Sequence, residues 1–236
     1  LPNLDPAATR IGELVSELIV DGSCIQTGIG AIPAAILSQL SDKNDLGMHG
    51  GLIDDAGREL IDLGVLSGKS KTIDNAKHVA GMALGTDKLY EWLAFQEDVV
   101  FRGADYTHEV SVISQIDDFV SINSAVEIDL YGQINSEFAS GRQISGTGGS
   151  VDFMRAAKSS KRGKSIVAMN ATAKDGEVSR IVQKVELVTA LRTDVDIVVT
   201  EFGVANLKNL PVNQRADALI EIAAPQFREQ LRRSRG

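Results

Sequence analysis

Two clusters of glycine, each set between a strand-like run and a helix-like run, constrain this chain more than any other feature. The first is Gly28-Ile29-Gly30-Ala31-Ile32, between a strand at Ser23–Thr27 and a helical stretch from Pro33 to Leu40. The second is Ser145-Gly146-Thr147-Gly148-Gly149, directly before Val151–Lys158, which reads as a helix. Strand, glycine turn and helix in succession form the unit of an open α/β sheet. In such sheets the turns gather beyond the same strand ends, where ligands bind. Glycine lets the backbone approach a ligand closely and adopt φ > 0 without strain. The helix start that follows leaves several N–H groups without intrahelical partners. Such a turn suits a phosphate, a carboxylate, or the oxyanion of a thioester under attack. Its plainer reading is a tight turn whose glycines only permit packing.

The rest of the chain alternates in the same way. Asp5–Val20 carries apolar residues at helical spacing, with Asp5 as N-cap and Pro6 at the first helical position. Leu46–Met48 reads as a strand ending at His49-Gly50-Gly51, and Ile53–Leu63 and Asp87–Phe95 read as helices. Phe119–Ile128 reads as one strand, turning at Gly132 into Gln133–Glu137. Ser165–Ala171 and Val178–Val185 read as strands joined by a turn at Asp175-Gly176. Asp196–Thr200 is an unbroken apolar strand, and helices over Asn213–Ala223 and Pro225–Arg232 follow. There is no repeat, low-complexity tract or linker. The expectation is one α/β domain over residues 1–236: an open mixed sheet flanked by helices, mixed because of the hairpins.

Composition narrows the function by exclusion. The net charge is -8 over 236 residues, which argues against a nucleic-acid partner, because phosphate binding needs a basic surface. The one basic cluster, Arg228, Arg232, Arg233 and Arg235, reads as a solvated helix end. Cys24 is the single cysteine, so no intrachain disulfide can form, which suits a reducing cytoplasmic setting. No run approaches the ~18–20 apolar residues that a membrane span needs, and no signal peptide is visible. His78 and His108 have no metal-type spacing with other ligands, so no metal is expected.

Neither glycine loop matches a nucleotide fingerprint. GIGAIP lacks the third glycine of the dinucleotide loop, and no lysine follows as in a P-loop. Taken in order, GIGAIP, LGMH, SINSAVEIDLYGQINSE, SGTGGSVDF, AKDGEVSRIV and DIVVTEFGVANL resemble the acetyl-CoA hydrolase/transferase family, from about Asp5 to Leu231. The resemblance implies a class I CoA-transferase-like fold and coenzyme A thioesters and small carboxylates as substrates. It also implies that this region is a C-terminal half, completed by a related N-terminal half or a second subunit, in an oligomer. The absent initiator methionine fits that expectation. By resemblance, Gly28, Ile29, Gly30, Ala31 and Ile32 border the thioester and pantetheine, and Asn123 contacts CoA. Gly146, Gly148 and Gly149 turn backbone amides to the thioester, and Lys164 aligns with a CoA-contacting residue. For Lys164 a solvated turn beside Lys161 and Arg162 is the even alternative.

One position departs from the family pattern. Family transferases attack the thioester with a glutamate two residues after the histidine of an L-G-(apolar)-H-x-E motif, a carboxylate nucleophile that becomes CoA-bound. Here the run is Leu46-Gly47-Met48-His49-Gly50-Gly51, so Gly51 stands at the glutamate position. Four readings follow: a hydrolase with His49 or a nearby acid as general base; a transferase with a displaced carboxylate; an acyl-CoA-binding subunit without chemistry; or an inactive variant of a transferase. The displaced-carboxylate candidates are Asp54, Asp55, Glu127, Glu137 and Glu201. Asp152 reads as a cap for the helix after the second glycine loop.

Overall fold

The computed structural model describes residues 5–235. The chain opens with α1 (Pro6–Ser16), whose N-terminus is fixed as its sequence predicts, with the Asp5 carboxylate accepting from the Ala7 amide and Pro6 at N1. It continues through β1 (Cys24–Thr27), α2 (Ala31–Ser38), β2 (Gly47–Ile53), α3 (Asp55–Asp62), β3 (His78–Ala83), α4 (Asp87–Leu93) and β4 (Val99–Phe101). Two short helices, α5 (Ala104–Thr107) and α6 (Val110–Ile113), precede β5 (Phe119–Asn123). A loop-rich stretch holds β6 (Glu127–Asp129), β7 (Ile134–Asn135), β8 (Phe138–Ala139) and β9 (Arg142–Gln143). Then come α7 (Ser150–Ser159), β10 (Lys164–Ala168), β11 (Thr172–Ala173), β12 (Val178–Ser179), β13 (Ile181–Val182), β14 (Ile197–Thr200) and β15 (Gly203–Asn206). The helices α8 (Val212–Glu221) and α9 (Pro225–Ser234) come last.

Eight strands form one sheet in the order β15-β14-β10-β5-β1-β2-β3-β4. Every pairing is parallel except that of β15 with β14 at the edge. The open mixed sheet is therefore as expected, but the reason differs. The antiparallel element is the edge strand β15, whereas the hairpins at Gly132 and Asp175-Gly176 build small satellite sheets. Gly132 has φ 91°, the left-handed backbone such a turn needs.

Helices cover both faces because strand residues alternate. On one face Ile11, Val15, Ile36 and Leu60 from α1, α2 and α3 pack on Ile25, Met48, Ile122 and Ile166. On the other, Phe153, Ala156 and Ala157 of α7 pack with Ile113 on Cys24 and Phe119. Towards β14, Ala216, Leu219 and Ile220 of α8 cover Val167 and Val198. The arginines of α9 are less free than a solvated end implies, since Arg232 bonds Glu221 at 2.8 Å and Arg235 bonds Asp217 at 3.0 Å.

Three element boundaries move. The stretch Phe119–Ile128 is two strands in different sheets, since β6 leaves to pair with β7 and β13. β2 runs through His49, Gly50 and Gly51 to Ile53, so these residues lie inside a strand and helix α3 begins only at Asp55. The strands β3, β4 and β15 carry no alternation that marks them in the sequence, and β3 contains a glycine.

Candidate functional site

Parallel strands put their carboxyl ends on one edge, and both glycine loops lie on it. Gly28 follows β1, with its amide donating to the Ile122 carbonyl of β5 at 3.0 Å. A Cβ on Gly28 would stand 3.7 Å from Asn123 Oδ1, so the first loop begins beside the end of β5. The second loop leads into α7, which packs back across β5 and β10. The two helices lie on opposite faces of the sheet, so the loops approach the shared strand ends from either side. Among the described residues, no protein acceptor takes the amides of Ile29–Ile32 or of Gly146–Gly149. Both loops are largely exposed, Ile29 included. Gly30 has φ 116°, which reserves that position for glycine, and Gly148 has φ 57°, left-handed backbone that glycine adopts without strain.

Asn123 is committed to the protein. Its Nδ2 donates to Gln26 Oε1 at 3.2 Å and to Ser121 Oγ at 2.9 Å, while Oδ1 accepts from Gln26 Nε2 at 3.3 Å. Both amide protons are used, and only Oδ1, beside Gly28, keeps accepting capacity. Gln26 continues the network towards β2, where a Cβ on Gly50 would lie 3.2 Å from its Cγ.

The opposite face of β2 shows Gly47, His49 and Gly51 in alternation, roofed by Lys71, Tyr106 and His108. Lys71 closes over Gly47, where a Cβ would stand 2.6 Å from its Cγ. Tyr106 lies over His49 with ring centroids 5.9 Å apart. His49 is 0% exposed, and neither ring nitrogen has a hydrogen-bond partner. Burial, reinforced by repulsion from Lys71 and only partly offset by Asp74, pushes its pKa down to about 4. His49 is therefore neutral but sealed from the cleft. Full burial beneath Tyr106 leaves no ring atom exposed and counts against its expected role as general base.

Gly51 is covered by His108. The position of a Cβ on Gly51 lies 3.2 Å from Cε1 and Nε2 of that imidazole and 3.8 Å from the Phe153 ring. A Cβ on Gly149 would lie 2.3 Å from the same Nε2, so the ring sits between β2 and the second glycine loop. Phe153, on α7, packs on the ring with centroids 4.5 Å apart. His108 also lines an open cavity of about 440 Å³ with Ala104, Glu109, Gly148, Gly149 and Asp152. Asp152 is in the first turn of α7, whose N-cap is Gly149, so it faces the helix dipole rather than capping with its side chain. The sequence singled out His108 only as a poor metal ligand. Its place beside Gly51 arises from α5, which no pattern in the sequence marks.

Lys164 is not brought to this edge. It opens β10 in register with Val120, and its Nζ donates to the Leu18 carbonyl at 2.6 Å. The first residue of a parallel strand lies at the amino edge of the sheet, so the glycine loops are at the far end. The displaced-carboxylate candidates are likewise engaged elsewhere. Asp54 caps α3 by accepting from the Gly57 amide at 2.8 Å, and Asp55 accepts from the Thr86 amide and hydroxyl, each at 2.8 Å. Glu127 accepts from Asn135 at 3.3 Å, Glu137 from the Thr189 hydroxyl at 2.7 Å, and Glu201 from the Ala171 amide at 2.8 Å. Among the described residues, no group of three or more His, Cys, Asp or Glu is placed to hold a metal, and no helix is long and apolar enough to cross a membrane.

A family model described as "Acetyl-CoA hydrolase/transferase C-terminal domain" matches residues 85–235, which include α7 and its glycine loop. The chain belongs to this family. It is 46% identical over 233 residues to a 4-hydroxybutyrate coenzyme A transferase of Clostridium kluyveri, covering 98% of this chain and 54% of that protein. It is 42% identical to a butyryl-CoA:acetate CoA-transferase of Anaerostipes caccae, covering 95% of this chain and 53% of that one. Among solved structures, RipA from Yersinia pestis superposes with a TM-score of 0.95 at 40% identity, over 99% of this chain and 53% of RipA. A 4-hydroxybutyrate CoA-transferase from Porphyromonas gingivalis does so with a TM-score of 0.87 at 39% identity, over 97% and 55%. This family member spans about half the length of the curated relatives it matches.

Proposed function

We propose that the carboxyl edge of β1, β2 and β5 binds the thioester of an acyl-CoA. The complete protein then moves CoA between an acyl-CoA and a small carboxylate. The observation that carries this reading is the pair of loops with uncommitted amides, Ile29–Ile32 and Gly146–Gly149, at adjoining strand ends. Amide donors fixed in place stabilise the charge that grows on a thioester oxygen under attack, without rearrangement during the reaction. Coenzyme A is a substrate here, and a further half of the protein or a second subunit completes the cleft.

Hydrolysis is the second reading, and a specific feature favours it. Glycine at 51 has no side chain to carry a CoA ester, and the groups nearest its missing Cβ are His108 and Phe153 rather than a carboxylate. In this reading water takes the nucleophile's place that a carboxylate at residue 51 would hold. A third reading, an acyl-CoA-binding subunit without turnover, predicts binding alone.

One experiment separates all three. The complete protein is incubated with acetyl-CoA or butyryl-CoA, with and without acetate or succinate, and free thiol and new thioester are followed separately. Acceptor-dependent thioester exchange supports transfer, and thiol release without acceptor supports hydrolysis. Binding without either product leaves the inactive subunit, and no binding removes the site.

A further inference from the structure

We propose that His108 is the general base of a hydrolytic cleavage at this site, an inference that rests on the hydrolysis reading above. Three observations converge on it. First, the imidazole fills the gap between Gly51 and Gly149, with Nε2 turned to both backbones. Second, its other nitrogen is held. Nδ1 lies 2.8 Å from Thr107 Oγ1, and that hydroxyl also lies 3.3 Å from the Gly103 carbonyl, a second acceptor for its single proton. With the hydroxyl proton given to Gly103, Nδ1 carries the ring proton and donates to Thr107, and the lone pair is left on Nε2. Third, the ring opens onto the cavity of about 440 Å³ whose wall includes Gly148 and Gly149 of the amide-bearing loop.

The charged groups facing the ring are few. Asp152 comes from α7 and Glu109 from the turn before α6, while β2 presents only Gly51. Burial lowers the ring's pKa below the ordinary imidazole value, against a smaller upward pull from Asp152. This favours the unprotonated imidazole that a base requires.

The step balances with water as the only co-reactant. Nε2 takes a proton from water as the water oxygen forms a bond to the thioester carbonyl carbon. The carbonyl electron pair moves onto its oxygen, which faces the loop amides. When that pair returns, the C–S bond breaks, and sulfur leaves with the bonding electrons and takes the proton back from Nε2. The products are a carboxylic acid and the CoA thiol.

The test uses the complete protein with butyryl-CoA and no acceptor. Wild type is expected to release thiol, with a rate that falls as pH drops through a single ionisation below 6.5. His108→Gln is expected to lower kcat by about 10²-fold or more and to lose that limb, with the Kd for butyryl-CoA unchanged. In ¹⁵N-histidine-labelled protein, the His108 imidazole is assigned by its loss in His108→Gln, and its Nε2 is expected to show the shift of an unprotonated nitrogen at pH 7. Unchanged kcat and pH profile in His108→Gln, or a proton on Nε2 at pH 7, overturns the proposal. So does wild type that binds butyryl-CoA yet releases no thiol, although acyl-CoA binding then stands. Failure to bind butyryl-CoA sinks the site itself.

Discussion

At residue 51 the difference between glycine and glutamate is a matter of space as well as chemistry, because a Cβ there would press on the His108 ring at 3.2 Å. That is closer than ordinary contact, so a longer side chain requires the imidazole to turn away from β2. Gly51→Glu is therefore expected to exchange one chemistry for another. Acceptor-dependent transfer of CoA from butyryl-CoA to acetate should appear, and thiol release without acceptor should fall. In the double variant with His108→Ala the glutamate has room, so transfer should rise further, by more than the two single effects combined, as contacting residues are not additive. Equal exchange in the single and double variants would show that the ring does not obstruct residue 51. The motif draws attention to position 51, but nothing in the sequence marks its steric partner. Gly51 and His108 are far apart in the chain, and only the folding of α5 over β2 and β3 joins them. Lys164 lies away from the loops for a different reason: resemblance carries a residue type, but the head of a parallel strand stands at the opposite edge of the sheet.

Among the elements, the loop before α7 separates backbone conformation from ligand contact. Gly148 has φ 57°, where a β-branched side chain is strained at about 1–3 kcal/mol. Gly146 has no such constraint, and a Cβ on it would meet no protein atom within 4 Å. Gly146→Ala is thus expected to leave the melting temperature within a degree or two of wild type, while Gly148→Val lowers it. If acyl-CoA lies against this loop, both should weaken binding, measured by titration calorimetry. Full affinity in Gly146→Ala would remove that residue from the contact surface. Elements with strong local signals were read correctly: the Asp5-Pro6 start of α1, the apolar run of β14, the turn at Gly132. The break between β5 and β6 falls at the polar pair Asn123-Ser124, which is too short a mark to divide Phe119–Ile128 in the sequence. What divides it is the tie of Asn123 to Gln26, with β6 captured by β7 and β13 beyond it.

For the molecule as a whole, the cluster beneath β2 and β3 links stability to pH. His49 and His78 are both buried, and burial, with repulsion from Lys71, pushes each pKa down to about 4. In the unfolded chain a histidine titrates near 6.5. Between those values the unfolded state binds protons that the folded state refuses, so folding stability is complete above about pH 6.5 and declines as pH falls towards 4. Each ring contributes on the order of 3 kcal/mol across that window, at about 1.4 kcal/mol per pH unit. Urea unfolding at pH 7, 6, 5 and 4.5 should show the midpoint falling well before carboxylates titrate. His49→Leu isolates one ring. Both His49 nitrogens lack partners, so an apolar side chain of similar size costs little at pH 7. In that variant the loss between pH 6.5 and 4.5 should be roughly half that of wild type, the remainder belonging to His78. An unchanged slope in His49→Leu would mean that protons enter elsewhere, and that the roof of Tyr106 over His49 opens before the fold does.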